Sequence, residues 1–244
     1  MSERSRNKSR GKTTKLSSTV LVKGRGLWSK NAVPGVKVRG ENLRKMEGDE
    51  WRNWSPRHSK LAAGILRTKQ ESSLLPFQGS QALYLGAGHG TTISHIHDHM
   101  CGVENEMGGS IVAVDVSPRC IRDLISLAKK RPGILPLLAD ARKPESLRPW
   151  LNGRVDWLFQ DVSQAGQVDF FLDACEHFLA AEGIALLSLK SASERAVSGG
   201  SEEHYSNAAK AMEEVGLEVL EVIRLKGWEE QHALIIGCAP HDWK

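Results

Sequence analysis

The chain has 244 residues, of which 40% are hydrophobic, and a formal net charge of +4. That supports one main domain with its own core plus a smaller appendage, and no apolar run approaches the about 20 residues of a helical membrane span. The four cysteines (101, 120, 175 and 238) form no C-x-x-C pair and the first residues, MSERSRNKSRGKTTK, hold no apolar secretory segment, so a reduced intracellular protein without a zinc site and without a membrane partner is expected.

The small net charge hides an asymmetry. Residues 1–17 carry six Lys/Arg against one acid, and residues 18–70 carry twelve against four, leaving 15 bases and 24 acids for the rest. A basic front on an acidic body suits a polyanionic partner approaching from one side. Residues 1–17 lack apolar periodicity and are expected to form a disordered basic tail. Residues 18–54 alternate short β-prone pieces with Gly, Asn-Ala and Pro-Gly turns, which predicts a small antiparallel platform. Its tryptophans, 28, 51 and 54, are expected in its core. Ser55–Pro56 has the form of a helix start, with Ser55 as N-cap, Pro56 at the first helical position, and Leu61, Ala62, Ile65 and Leu66 as the buried stripe.

From residue 55 to the end, the pattern predicts one α/β domain. Strands are expected at 81–86, 110–116, 134–140, 155–161, 184–190, 217–225 and 232–239, with helices at 91–99, 118–131, 166–180 and 204–216. The unalternated apolar strands ALYL, IVAV, WLF and IALLSL read as parallel and buried on both faces. Only a short Gly-Trp segment joins the last two strands, so they should pair antiparallel. A mostly parallel, Rossmann-like sheet with an antiparallel last strand is the pattern of S-adenosylmethionine-dependent methyltransferases. The histidines at 95, 97 and 99 do not share one helix face, and a solvated helix end rather than a metal site is expected there.

The first strand runs into a glycine turn, LYLGAGHGTT at 83–92, and the next apolar run ends on Asp115. Glycines at 86, 88 and 90 let backbone approach a ligand, and an acid closing the second strand can accept from ribose hydroxyls. Ligands of open α/β sheets sit beyond the carboxyl ends of the parallel strands. Asp161 ends the fourth strand and Lys190 the fifth. His232 begins the reversed last strand, so it lies on the same edge, and Lys60 can lean over that edge from the preceding helix. Asp140 closes the third strand. A nucleoside-cofactor enzyme of another class, such as an NAD-dependent oxidoreductase, uses the same first strand and acid, although it predicts G-x-G-x-x-G where this turn reads GAGHG.

The stretches NAVPGVKVRGE, WSPRHSKLAAGIL, LYLGAGHGTTISH, VAVDVSPR, the DA of LADARKPE, QDVSQ, LLSLKS and EQHALII run from about residue 19 to residue 239 and resemble the fibrillarin family in its archaeal form. The resemblance implies ribose 2′-O-methylation of rRNA or tRNA with S-adenosyl-L-methionine as cofactor. It implies a box C/D guide RNA, a Nop-domain scaffold protein and, through the RNA, a kink-turn-binding ribosomal-type protein as partners. Location would be cytoplasmic for an archaeal form and nucleolar for a eukaryotic one. The family's catalytic set falls on Lys60, Asp161, Lys190 and His232, and its cofactor contacts on Gly86, Thr91, Thr92, Asp115, Val116, Asp140, Ala141, Asp161, Val162, Ser163 and Gln164. Within that set Lys190 acts as general base in its neutral form, Asp161 orients Lys190 and the hydroxyl, and Lys60 and His232 position the target nucleotide. A non-catalytic scaffold that keeps the fold is the remaining alternative. Such a chain is expected to lose Asp161 or Lys190, and both are present.

Overall fold

The computed structural model describes residues 12–70, 74–191 and 200–244. Strands β1 (Thr13–Lys15), β2 (Val20–Lys23), β3 (Gly26–Lys30), β4 (Leu43–Met46) and β5 (Asp49–Trp54) form an antiparallel platform in the order β1-β2-β3-β5-β4. The β4–β5 hairpin turns through Glu47 (φ 53°) and Gly48 (φ 88°), the two positive dihedrals that match a tight turn to strand twist. β1 corrects the tail boundary. Thr13 to Lys15 pair with Lys23 to Leu21, although all three are exposed. Ladder hydrogen bonds and the Lys15–Glu47 ion pair (2.7 Å) hold this edge strand, so apolar periodicity could not announce it. The rest of the expected tail, residues 1–11, lies outside the described residues.

A second correction concerns the helix after the platform. α1 spans Lys60–Ile65, and its N-cap is Ser59, not Ser55. The Ser59 hydroxyl accepts from the Ala62 N–H (3.2 Å) and from Trp54 Nε1 (3.0 Å), which ties the helix start to the end of β5. Ser55–Pro56 instead turns the chain out of β5, with the His58 N–H donating to the Ser55 carbonyl at 3.2 Å.

The main sheet follows. Its elements in chain order are β6 (Gln81–Leu85), α2 (Thr91–Met100), β7 (Ser110–Asp115), α3 (Pro118–Ala128), β8 (Ile134–Leu138), β9 (Val155–Gln160), α4 (Gln167–Phe178), β10 (Leu179–Lys190), α5 (Gly200–Glu214), β11 (Glu218–Arg224) and β12 (His232–Cys238). The strands lie in the order β11-β12-β10-β9-β6-β7-β8. β6 to β10 pair in parallel, and β12 runs antiparallel to both β10 and β11. Ser117 caps α3 by accepting from the Cys120 N–H, with Pro118 at the first helical position, as the Ser-Pro signal predicts.

One apolar cluster on one face of this sheet joins Tyr84, Phe159 and Ile93 to Leu61, Val20, Leu27 and Trp54, so platform and sheet share a core. Trp51 and Trp54 are buried, and Trp28 packs against Leu21, Met46 and Trp51. The other face holds α4 and α5 through Phe171, Phe178, Tyr205 and Met212.

The histidine run of α2 is buried, contrary to the expected solvated helix end. His95, His97 and His99 are 2%, 1% and 4% exposed. His95 stacks on Trp54 (centroids 4.9 Å apart) and meets Ser29 Oγ at 2.7 Å, while His99 meets Thr19 Oγ1 at 2.6 Å. His97 faces the other way, towards the Pro132 carbonyl (2.8 Å). Between them Asp98 receives Arg52 (2.5 Å) from β5 and Arg131 (2.9 Å), both fully buried. A buried ion needs such pairing. The helix is polar because it is the seam between platform and sheet. Among the described residues no three His, Cys, Asp or Glu side chains are placed to hold a metal.

Candidate active site

The parallel strands and the reversed β12 bring four distant residues to one edge. Lys190, the last residue of β10, is the direct cross-strand partner of His232, the first of β12. Asp161 follows β9, and its N–H donates to the Leu85 carbonyl (2.8 Å), which draws it against the end of β6. Lys60 opens α1, and its Nζ lies 2.9 Å from Asp161 Oδ1. Both side chains are mostly buried, at 21% and 14% exposure. The carboxylate therefore pairs with Lys60, whereas the sequence reading had it orient Lys190. The Lys190 side chain makes no ion pair among the described residues. Burial, and then the charges of Lys60 and Lys190 against the opposing pull of Glu229 and Asp161, lower the pKa of His232, which keeps the imidazole neutral at pH 7.

Lys190 is placed by a residue the sequence did not flag. Gln167, the first residue of α4, accepts from the Lys190 N–H with Oε1 (3.2 Å) and donates Nε2 to the Lys190 carbonyl (3.3 Å). The Gln160 amide in turn donates to the Gln167 carbonyl (2.6 Å), and both glutamines are fully buried. Ser59 was missed as well. Besides capping α1 it accepts from Thr92 Oγ1 (3.0 Å), so one hydroxyl joins the helix that carries Lys60 to the helix after the glycine turn. A polar residue at a helix start is ordinarily solvated, so neither position carries a sequence signal.

Beside this group opens a cavity of about 240 Å³ lined by Gly86, Gly88, Val114, Asp115, Val116, Ala139, Asp140, Ala141, Asp161, Val162, Ser163, Gln164 and Phe170. Gly86 has φ 81°, and a Cβ there would meet the Asp161 carbonyl oxygen at 2.6 Å, so only glycine fits. Asp115 accepts from the Gly88 N–H with Oδ2 and from the Ser117 N–H with Oδ1, both at 2.9 Å. Each oxygen keeps a further acceptor site, aimed from a fixed carboxylate. Hydrogen bonds from the Arg142 side chain and N–H hold Asp140 down at about 2. Val116 is exposed at 56% on the cavity wall and presents an apolar surface there.

Thr91 and Thr92 are not among the residues that line this cavity. Thr92 is buried on Ser59, and Thr91 faces the cleft between α2 and the platform, with Arg39 and His95. They open α2 directly after Gly90, which caps the helix in the left-handed region (φ 93°). Gly88, Val114, Ala139 and Phe170 are lining residues that the sequence reading did not assign. The loop signalled Gly88, but nothing signalled Phe170, which reaches the wall from α4.

The model of the Fibrillarin family matches residues 13–241. The chain belongs to the fibrillarin family. A fibrillarin-like rRNA/tRNA 2′-O-methyltransferase from Thermococcus sibiricus is 40% identical over 212 residues, covering 87% of this chain and 89% of the relative. The crystal structure of Aeropyrum pernix fibrillarin with natively bound S-adenosyl-L-methionine matches with a TM-score of 0.78 at 33% identity, covering 93% of this chain and 99% of that one. The fibrillarin of a crystallised fibrillarin/Nop5p complex matches with a TM-score of 0.73 at 30% identity, covering 87% and 93%. As a fibrillarin, the chain has the mostly parallel methyltransferase sheet and the antiparallel N-terminal sheet expected of it.

Proposed function

We propose that this chain transfers a methyl group from S-adenosyl-L-methionine to a ribose 2′-hydroxyl of rRNA or tRNA. We further propose that it does so in a ribonucleoprotein where a box C/D guide RNA selects the nucleotide. The observation that carries the reading is the convergence of Lys60, Asp161, Lys190 and His232 beside a glycine-lined cavity.

The cavity residues fit the cofactor. Gly86 admits close approach, Asp115 offers fixed acceptors for ribose hydroxyls, and Asp140 can accept from an amine on a purine. Val116, Ala141 and Phe170 offer apolar surface to a planar ring. The cofactor supplies an electrophilic methyl on a sulfonium, and Asp161 at the cavity rim places negative charge near that cation. The remaining work belongs to the chain. Lys190 in its neutral form takes the hydroxyl proton. Asp161, held by Lys60, keeps its second oxygen to orient that hydroxyl. Lys60 and neutral His232 flank the ribose and its phosphate. A positioned base contributes about 10²–10⁴-fold, whereas alignment of reacting groups can contribute on the order of 7–11 kcal/mol, so most of the acceleration should come from placement.

The relative crystallised with Nop5p supports a Nop-domain protein as partner, and the kink-turn-binding protein joins through the guide RNA. No RNA-binding module of its own is evident in the sequence, which fits dependence on that assembly. Calorimetry provides the first test. S-adenosyl-L-methionine should bind with NAD showing no heat; the reverse would return the chain to the oxidoreductase reading.

A further inference from the structure

The glycine turn carries a histidine that the cavity does not use. The ring of His89 lies between two side chains of α3: Nδ1 is 2.8 Å from Asp123 Oδ2 and Nε2 is 3.8 Å from Cys120 Sγ. Arg39 of the platform closes the group, donating to the His89 carbonyl (2.8 Å) and to Asp123 (3.1 Å). Thiol and carboxylate occupy opposite nitrogens of one ring, so the three cannot share a metal ion. The order thiol, imidazole, carboxylate is instead that of an activated nucleophile: the imidazole takes the thiol proton and the carboxylate fixes the ring. Hydrogen bonds from His89 and Arg39 hold the Asp123 carboxyl below its usual range, so it stays anionic.

The other three cysteines are set against reaction. Burial pushes the Cys101 thiol up to about 12 and the Cys175 thiol well above its ordinary value. Burial and then Glu218 and Glu182 raise Cys238. Cys120 and Cys238 are both partly exposed, yet among the described residues only Cys120 meets a base.

We propose that Cys120, His89 and Asp123 form a thiol site that reacts with hydroperoxides, and that its oxidation disturbs the glycine turn of the cofactor cavity. In the reaction Cys120 Sγ gives its proton to His89 Nε2 and attacks a peroxide oxygen. The S–O bond forms as the O–O bond breaks, and the departing hydroxide takes the proton from the imidazolium and leaves as water. The thiol is oxidised to a sulfenic acid and the peroxide is reduced. The sulfenic oxygen replaces the sulfur as the partner of Nε2, at about 2.8 Å from the ring in place of the 3.8 Å thiol contact, so the contact that holds the ring against α3 is remade. His89 is flanked by Gly88, whose N–H holds Asp115, and by Gly90, which caps α2. The effect on the cavity rests on its reading as the S-adenosylmethionine site.

The full-length protein is treated with dilute hydrogen peroxide at pH 7, sulfenic acid is trapped with dimedone, and each cysteine is followed by peptide mass. Cys120 should be trapped about tenfold faster than Cys238, the internal reference, as a thiol beside a base is. That lead should vanish in His89→Ala and shrink in Asp123→Asn, with the Cys238 rate unchanged in both. Binding of S-adenosylmethionine should weaken several-fold after oxidation, while Cys120→Ser should bind equally before and after peroxide. Equal rates at the two cysteines, or a lead that survives His89→Ala, overturn the thiol site. An oxidised chain that binds as tightly as the reduced one overturns the link to the turn. Failure of the reduced chain to bind at all would count against the cavity reading, with the trapping rates still deciding the thiol site.

Discussion

Lys190 and Gln167 are a pair of residues with separable roles. Lys190→Ala should lower kcat by about 10²–10⁴-fold, the range of a positioned base, and leave cofactor affinity nearly unchanged, since Lys190 is absent from the cavity wall. Kinetics paired with calorimetry check this, and a parallel loss of binding would refute the role. Gln167→Ala removes both hydrogen bonds to the Lys190 backbone. An unpaired buried polar group costs about 1–3 kcal/mol, so melting temperature should fall, and kcat per folded molecule should fall too without a rise in cofactor KM. A variant that lost only stability would reduce Gln167 to a structural residue. Asp161, Lys190 and His232 were legible in the sequence because strand ends fix the edge they reach. Gln167 was not, because its importance lies in which backbone its amide meets.

At the scale of elements, α2 and α1 depart furthest from their sequence signals. Burial lowers the pKa of His95 and of His99, so both are neutral in the folded chain. Unfolded, each titrates near about 6.5. Below that pH the unfolded chain binds protons that the folded chain refuses, so stability is full above about 6.5 and falls as pH drops towards the lowered values. The loss approaches about 1.4 kcal/mol per pH unit for each histidine. His232, also lowered, adds to the same slope. Urea unfolding at pH 7 and pH 5.5 checks this; equal stability at the two would contradict it. Arg52→Ala strips a partner from buried Asp98 and from Glu41, whose carboxyl lies at about 2 because amides of Val38 and Arg39 and the Arg52 charge outweigh its burial. Breaking such a pair costs about 3–5 kcal/mol, which thermal denaturation would register as a large drop. Strands of the main sheet were legible to within about two residues because continuous apolar runs bounded by turns leave little choice, except that β10 starts at Leu179, where the helix was expected to continue to 180. The polar seam was not, since its histidines are buried by the platform, a contact between segments far apart in the chain.

For the whole molecule, the platform and the sheet share one core, so the basic platform is packed onto the sheet whose edge carries Lys60 and Lys190. Because β1 begins at Thr13, removing residues 1–11 spares the sheet. That deletion should weaken RNA binding and flatten its salt dependence, as the loss of phosphate contacts does; an unchanged slope would remove the tail from the RNA interface. The measurement that bears most directly on the account is transfer of labelled methyl from S-adenosyl-L-methionine to RNA. It compares the chain alone with the chain assembled with a Nop-domain protein, kink-turn-binding protein and box C/D guide RNA. The account predicts label on the 2′-oxygen of one guide-matched nucleotide in the assembled particle, little label with the chain alone, and transfer slowed by about 10²–10⁴-fold with Lys190→Ala in the particle. Label on a base, or full transfer by the Lys190→Ala particle, would contradict it.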